Sequence, residues 1–131
     1  MSVPPANSAN FVLGGTTFAD LGGAPAGTLN LRVTQPWTIN LTAPDTDYSW
    51  IDHFDMYGGY YDAANAFPGV VQHTEPGSAR GASGTFTFNL TVTANSLGAG
   101  DGNIYRYYYF WRVVAIDGTH LTSTTTIFAH T

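Results

Sequence analysis

The side chains best suited to chemistry gather between Asp45 and Asp62, where Asp45, Asp47, Asp52, Asp55 and Asp62 are interleaved with Tyr48, Trp50, His53, Tyr57, Tyr60 and Tyr61. Sugar sites use these ingredients: an aromatic face packs on the apolar face of a pyranose, and carboxylates accept hydrogen bonds from its hydroxyls. Asp52, Tyr57, Tyr60, Tyr61 and Asp62 are the candidate carbohydrate-binding residues. On a regular strand, however, His53, Asp55 and Tyr57 share one face while Asp52 points the other way with Trp50 and Phe54. Only a bulge or a loop gathers the acids. In the competing reading the aromatics are core and the Asp residues belong to turns and rims.

Other chemistries find less support. His53 and Asp55, two apart, offer two metal ligands from one strand face, and Asp45, Asp47 or Asp101-Gly-Asn103 offer oxygens to calcium. Neither spacing is that of a metal motif, and the four His stand apart at 53, 73, 120 and 130. No metal and no cofactor is expected. A glycosidase needs opposed carboxylates, but Glu75 is the single Glu and is expected in a His-Thr-Glu-Pro-Gly turn. There is no Gly-x-Ser-x-Gly elbow, and no Lys follows Gly98, Gly100 and Gly102 as a phosphate loop requires. The chain is read as a non-enzyme without catalytic residues. Asn40-Leu-Thr42 and Asn89-Leu-Thr91 match the N-glycosylation pattern but fall mid-strand, as wet-face residues.

The elements that position these residues are strands. Leu29, Leu31 and Val33 alternate with polar residues, and after Gln35-Pro36 so do Trp37, Ile39, Leu41 and Ala43, which predicts two half-buried strands. Phe86, Phe88, Leu90, Val92 and Ala94 against Thr85, Thr87, Asn89, Thr91 and Thr93 make the clearest case. Ile51 to Tyr57, Val70 to His73, Tyr105 to Ile116 and Leu121 to Ala129 complete a set of seven, with an Asp117-Gly118 hairpin between the last two. Nothing recurs at helical spacing. Residues 1–27, rich in Pro and Gly with Phe11, Leu13 and Phe18 as isolated anchors, read as an arm, either loose or laid on a surface of the body or a neighbour; residues 28–131 read as the domain.

Seven strands about ten residues apart in a chain of 131 predict one all-β domain, a single antiparallel two-sheet β-sandwich with an extended N-terminal arm. Trp37-Thr-Ile-Asn-Leu-Thr-Ala-Pro44 resembles the second strand of a fibronectin type III or immunoglobulin-like sandwich. Ile51 to Tyr57 resembles its third strand and Tyr109 to Gly118 its sixth. The resemblance covers about residues 28–129 and implies binding or scaffolding rather than catalysis. The connections Tyr57 to Val70 and Ala94 to Asn103 are longer than that pattern, so a jelly roll is the alternative.

Charge points toward partners. There are four Arg, no Lys and nine acids, a net charge of −5 and 10% charged residues, where a soluble domain has roughly 25%. A phosphate-backbone binder is excluded by the missing basic cluster, and with no Cys there is neither a disulfide framework nor a thiolate site. No apolar run approaches the roughly eighteen residues of a membrane helix, so no membrane span is expected. The start lacks a basic and apolar leader pattern, so export either uses another route or leaves the chain starting after cleavage.

Tyr105 to Ile116 is apolar on both faces, whereas a sandwich strand needs one such face. Tyr108, Phe110, Val114 and Ile116 are therefore candidate interface residues, to be covered by the arm, a loop or another subunit, with Phe11, Leu13 and Phe18 as the arm's contributions. Edges without Lys also lack the usual guard against strand pairing. The expectation is a structural or adhesive β-sandwich in a homo-oligomer or larger assembly: a virion decoration, capsid, tail or fibre protein, or a surface-filament subunit, on a virion or extracellular surface. The alternative is a lectin-like module whose partner is a glycan.

Overall fold

A computed structural model describes residues 10–41, 47–60, 69–94 and 102–131. Two antiparallel sheets pack face to face as a β-sandwich. In the first, β3 (Thr28–Asn40) is central. One side of it pairs with β6 (Ser83–Thr93), the other with β1 (Asn10–Leu13) and β2 (Thr17–Asp20) in succession. The second sheet runs β5 (Val70–Pro76), β4 (Ile51–Tyr60), β7 (Tyr105–Ala115), with β8 (His120–Thr122) and β9 (Thr126–His130) sharing the far side of β7.

The alternation read from sequence becomes the core. Phe86, Phe88, Leu90 and Val92 of β6 are buried between exposed Thr and Asn neighbours. Trp37 of β3 stacks on Phe86 at 5.3 Å, and Phe86 on Trp111 of β7 at 4.9 Å. Phe54 of β4 packs edge-on against Phe86, tying both sheets together. The Asp117-Gly118 hairpin forms with Gly118 at φ +89°, and Asp117 Oδ1 accepts from the Thr119 amide at 3.0 Å.

Two expectations are corrected. The segments 29–33 and 37–43 are not two strands: one strand runs through Gln35-Pro36 to Asn40. Gln35 occupies an inward position at 0% exposure, which a polar side chain tolerates only when hydrogen-bonded. Its Nε2 donates to the carbonyls of Gly14 (3.1 Å) and Pro36 (2.8 Å), and Thr16 Oγ1 donates to its Oε1 (2.6 Å). The Tyr109 hydroxyl closes the network, 2.6 Å from Thr16 Oγ1 and 2.9 Å from Gln35 Oε1. Pro36, which has no N–H, sits where the neighbouring ladder is already broken between β1 and β2.

Second, Leu121 to Ala129 is interrupted between β8 and β9. At that gap the Trp111 amide donates to Ser123 Oγ (2.8 Å) and the Ser123 amide to the Trp111 carbonyl (2.9 Å). Gln35 and Ser123 are the two buried polar residues among those described, and each marks a break in an outer strand. Of the two alternatives for the arm, residues 10–20 take the one laid on the body: they are strands of the first sheet, with Phe11 4% exposed in the shared core.

Candidate functional site

The acidic end of the site is made by a bulge. Across β4 and β7, Ile51 lies opposite Ala115 and His53 opposite Val114, so Asp52 is an extra residue on β4. The shift turns the Asp52 carboxylate toward the face of His53 and Asp55. His53 Nδ1 is 2.7 Å from Asp52 Oδ2, and its Nε2 is 3.0 Å from Asp55 Oδ2. Gly77, in the short turn after β5, backs onto the bulge: a Cβ there would lie 3.1 Å from the Asp52 carbonyl carbon and the same from Ile51 O. Glycine is what allows that approach.

With both ring nitrogens facing carboxylates, the doubly protonated imidazolium is the form that donates on both sides. The hydrogen bond to Asp52 raises the His53 pKa above its ordinary value; partial burial opposes this, and Asp55 adds to the rise. Asp55 is further occupied by Thr74 Oγ1, which donates to its Oδ1 at 2.8 Å.

Next along the face is a cluster of aromatic rings and a guanidinium. Tyr57 and Phe110, opposite one another on β4 and β7, are parallel within 2° at 5.2 Å between centroids. The Arg112 guanidinium lies 4.5 Å above the Tyr57 ring centre and 5.5 Å from that of Phe110, within cation–π range. Tyr108 faces Ile127 of β9, and Val71 of β5 faces Tyr57. Val71, Ile116 and Ile127 are 48%, 56% and 47% exposed. Behind this face Gly58 admits the Tyr107 ring, whose Cε1 would lie 2.7 Å from a Cβ at that position. Burial raises the Tyr107 pKa, so its phenol stays protonated.

Of the sugar-site residues, Asp52 and Tyr57 are brought to one face, against the simple strand alternation, because of the bulge. The Tyr60 side chain, Tyr61 and Asp62 lie outside the described residues, as do Asp45 and Asp101. Asp47 is in an exposed turn, where the Ser49 amide donates to its Oδ1 at 2.9 Å and holds its carboxyl below the usual range.

The interface residues divide into two groups. Phe11 is inside the chain's own core and Leu13 and Phe18 pack against it. Tyr108, Phe110 and Val114 are half-buried on the outer face of β7, and Ile116 is exposed at the hairpin. The described part of the arm, residues 10–27, is paired in the first sheet and not laid on that face. Arg112 belongs to this face by the same alternation as Phe110, and Ile127 of β9 joins it opposite Tyr108. Only the register between strands shows that Tyr57 meets Phe110 and Arg112, and that Ile127 meets Tyr108.

Among the described residues no three His, Asp or Glu side chains form a metal-holding group, and no helix is long and apolar enough to cross a membrane. Compared with known protein families and with characterised proteins, the chain matches none.

Proposed function

We propose that the chain is a non-catalytic, fibronectin type III-like β-sandwich acting as a structural or adhesive unit within a homo-oligomer or larger assembly, as a virion-associated or surface-filament protein. The observation that carries this reading is the outer face of the β5–β4–β7–β8/β9 sheet. Tyr57, Tyr108, Phe110, Arg112 and Ile127 form one aromatic, cationic and aliphatic surface. Aromatics and Arg, without Lys, are the composition enriched at the centres of protein interfaces. Large contiguous apolar surface on a soluble chain marks a contact site.

The resemblance to fibronectin type III is supported by strand order. With β1/β2 and β8/β9 each counted as one interrupted strand, the segments likened to the second, third and sixth strands are β3, β4 and β7, second, third and sixth of seven. A jelly roll has eight strands in two Greek keys.

Light scattering of the native chain and of a Val71→Ser/Ile127→Ser variant tests the reading. Both positions are largely exposed, so folding should be little affected. The native chain should associate, and the variant should associate about tenfold more weakly or worse. Carbohydrate binding is the second reading, favoured by the bulge that places Asp52 on the face of Tyr57. Arg112 already lies over that ring, however, and a pyranose would have to displace it. A monodisperse monomer with saturable glycan binding lost in Tyr57→Ala would replace the assembly reading with this one.

A further inference from the structure

The four sheet edges differ in how well they resist pairing. The β1/β2 edge is interrupted at 14–16 and the β8/β9 edge at 123–125. The β5 edge has a register shift opposite Met56/Tyr57, carries Glu75 and ends at Pro76. Such interruptions, bulges, charges and prolines are the devices that protect edges.

β6 has none of them. Its eleven residues, Ser-Gly-Thr-Phe-Thr-Phe-Asn-Leu-Thr-Val-Thr, include no charge and no proline. It keeps one unshifted register with β3 from Thr28↔Thr93 to Thr38↔Ser83, and among the described residues β3 is its single strand partner.

The ladder shows which main-chain groups face outward. The Ala94 amide donates to Gly27 O and the Ile39 amide to Ala82 O, both at 2.8 Å. In an antiparallel pair such bonded positions alternate, so the even-numbered residues of β6 bond to β3. Ser83, Thr85, Thr87, Asn89, Thr91 and Thr93 direct N–H and C=O away from it, and all six are exposed.

We propose that β6 pairs antiparallel with β6 of a second copy of this chain, about a two-fold axis at Phe88, joining the two first sheets into one. This rests on the assembly reading and supplies one of its contacts. Phe88 is the midpoint of the strand, so this register uses all of it, about 35 Å at the usual rise per residue. A two-fold axis requires an antiparallel, self-complementary contact.

In this register Phe86 meets Leu90 of the second copy, Thr85 meets Thr91, and Thr87 meets Asn89. Apolar residues stay on the core side and hydroxyls on the wet side. Because the strand is uncharged, no like charges oppose each other along it, and Thr–Thr pairs are favourable cross-strand neighbours. The outward main-chain groups would be satisfied by about twelve hydrogen bonds. A foreign strand would gain the same main-chain bonds, but the even register that keeps both faces matched is built into this sequence.

Thr85→Lys/Thr91→Lys places like charges opposite each other twice across the axis, while Thr85→Lys/Thr91→Glu places opposite charges there. Sedimentation of the full-length variants from low micromolar to submillimolar concentration should show native dimers and association about tenfold weaker in the Lys/Lys variant. The Lys/Glu variant should regain association, and thermal melts of both variants confirm that they are folded. As a second route, Thr87→Pro removes an outward N–H without touching the β3 ladder and should also weaken pairing. Amide exchange supplies a direct readout: protection at 83, 85, 87, 89, 91 and 93 should rise with protein concentration, while the even positions are protected throughout. Association equal to native in the Lys/Lys variant, or no gain at the odd amides, overturns the proposal while leaving assembly through other surfaces intact. A native chain that stays monomeric overturns both.

Discussion

His53 lies between two carboxylates because one residue too many has been fitted into β4 opposite β7, and that single insertion decides the electrostatics of the outer face. The geometry favours the charged imidazole, so the folded pKa stands above the unfolded value, and the sign of the pH effect follows. The stabilisation is fully present below the unfolded pKa of about 6.5 and is lost as pH rises through the higher folded pKa. In thermal melts across this range, the stability gap between the native chain and His53→Gln should be largest in acid and should close as pH rises. A gap that widens toward alkaline pH would contradict the arrangement. His53, Asp55 and Tyr57 are on one face by strand alternation alone, so that part of the site was readable from spacing. Asp52 joins them only through the bulge, which no local residue pattern announces.

At the scale of elements, the strands with clean alternation were legible and those with a polar interruption were not. β6 shows its burial pattern directly in its sequence, since each Thr or Asn faces water and each Phe, Leu or Val faces the core. In β3 the pair Gln35-Pro36 resembles a turn, yet the strand continues because Gln35 finds partners contributed by Gly14, Thr16 and Tyr109, up to 74 residues away. Gln35→Leu fills similar space but leaves the Gly14 carbonyl without its side-chain donor and Thr16 and Tyr109 without a shared acceptor. With about 1–3 kcal/mol for each buried group left unsatisfied, it should cost about 3 kcal/mol or more. Tyr109→Phe, which removes one member of the network, should cost about 1 kcal/mol. Denaturant unfolding of both variants measures the difference, and equal losses would mean that Gln35 does not anchor the break.

For the whole molecule, the scarcity of charge acquires a location. The outer face of the second sheet is aromatic and aliphatic around Arg112, and the β6 edge of the first sheet is uncharged along its length. As proposed contacts, these two surfaces lie on different sheets, so engaging both would link copies beyond the β6–β6 pair. Mass action then predicts a melting temperature that rises with protein concentration, because association stabilises the folded state. Differential scanning calorimetry over a hundredfold range of concentration checks this, and the rise should be lost in the variants that disrupt assembly. A melting temperature independent of concentration would count against any assembly in that range.

The amino-acid sequence by itself determined the all-β class, the inward residues of the regular strands, the Asp117-Gly118 hairpin and the doubly apolar β7. Each of these follows from the two-residue period of a strand and from local turn preferences, which need no distant partner. Tertiary structure alone decided that residues 10–20 complete the first sheet, that Gln35 belongs in the core, and that Arg112 covers Tyr57 beside a carboxylate-bound His53. Those outcomes depend on cross-strand register and on hydrogen bonds between residues far apart in the chain, and a one-residue bulge is enough to change which side chains share a face.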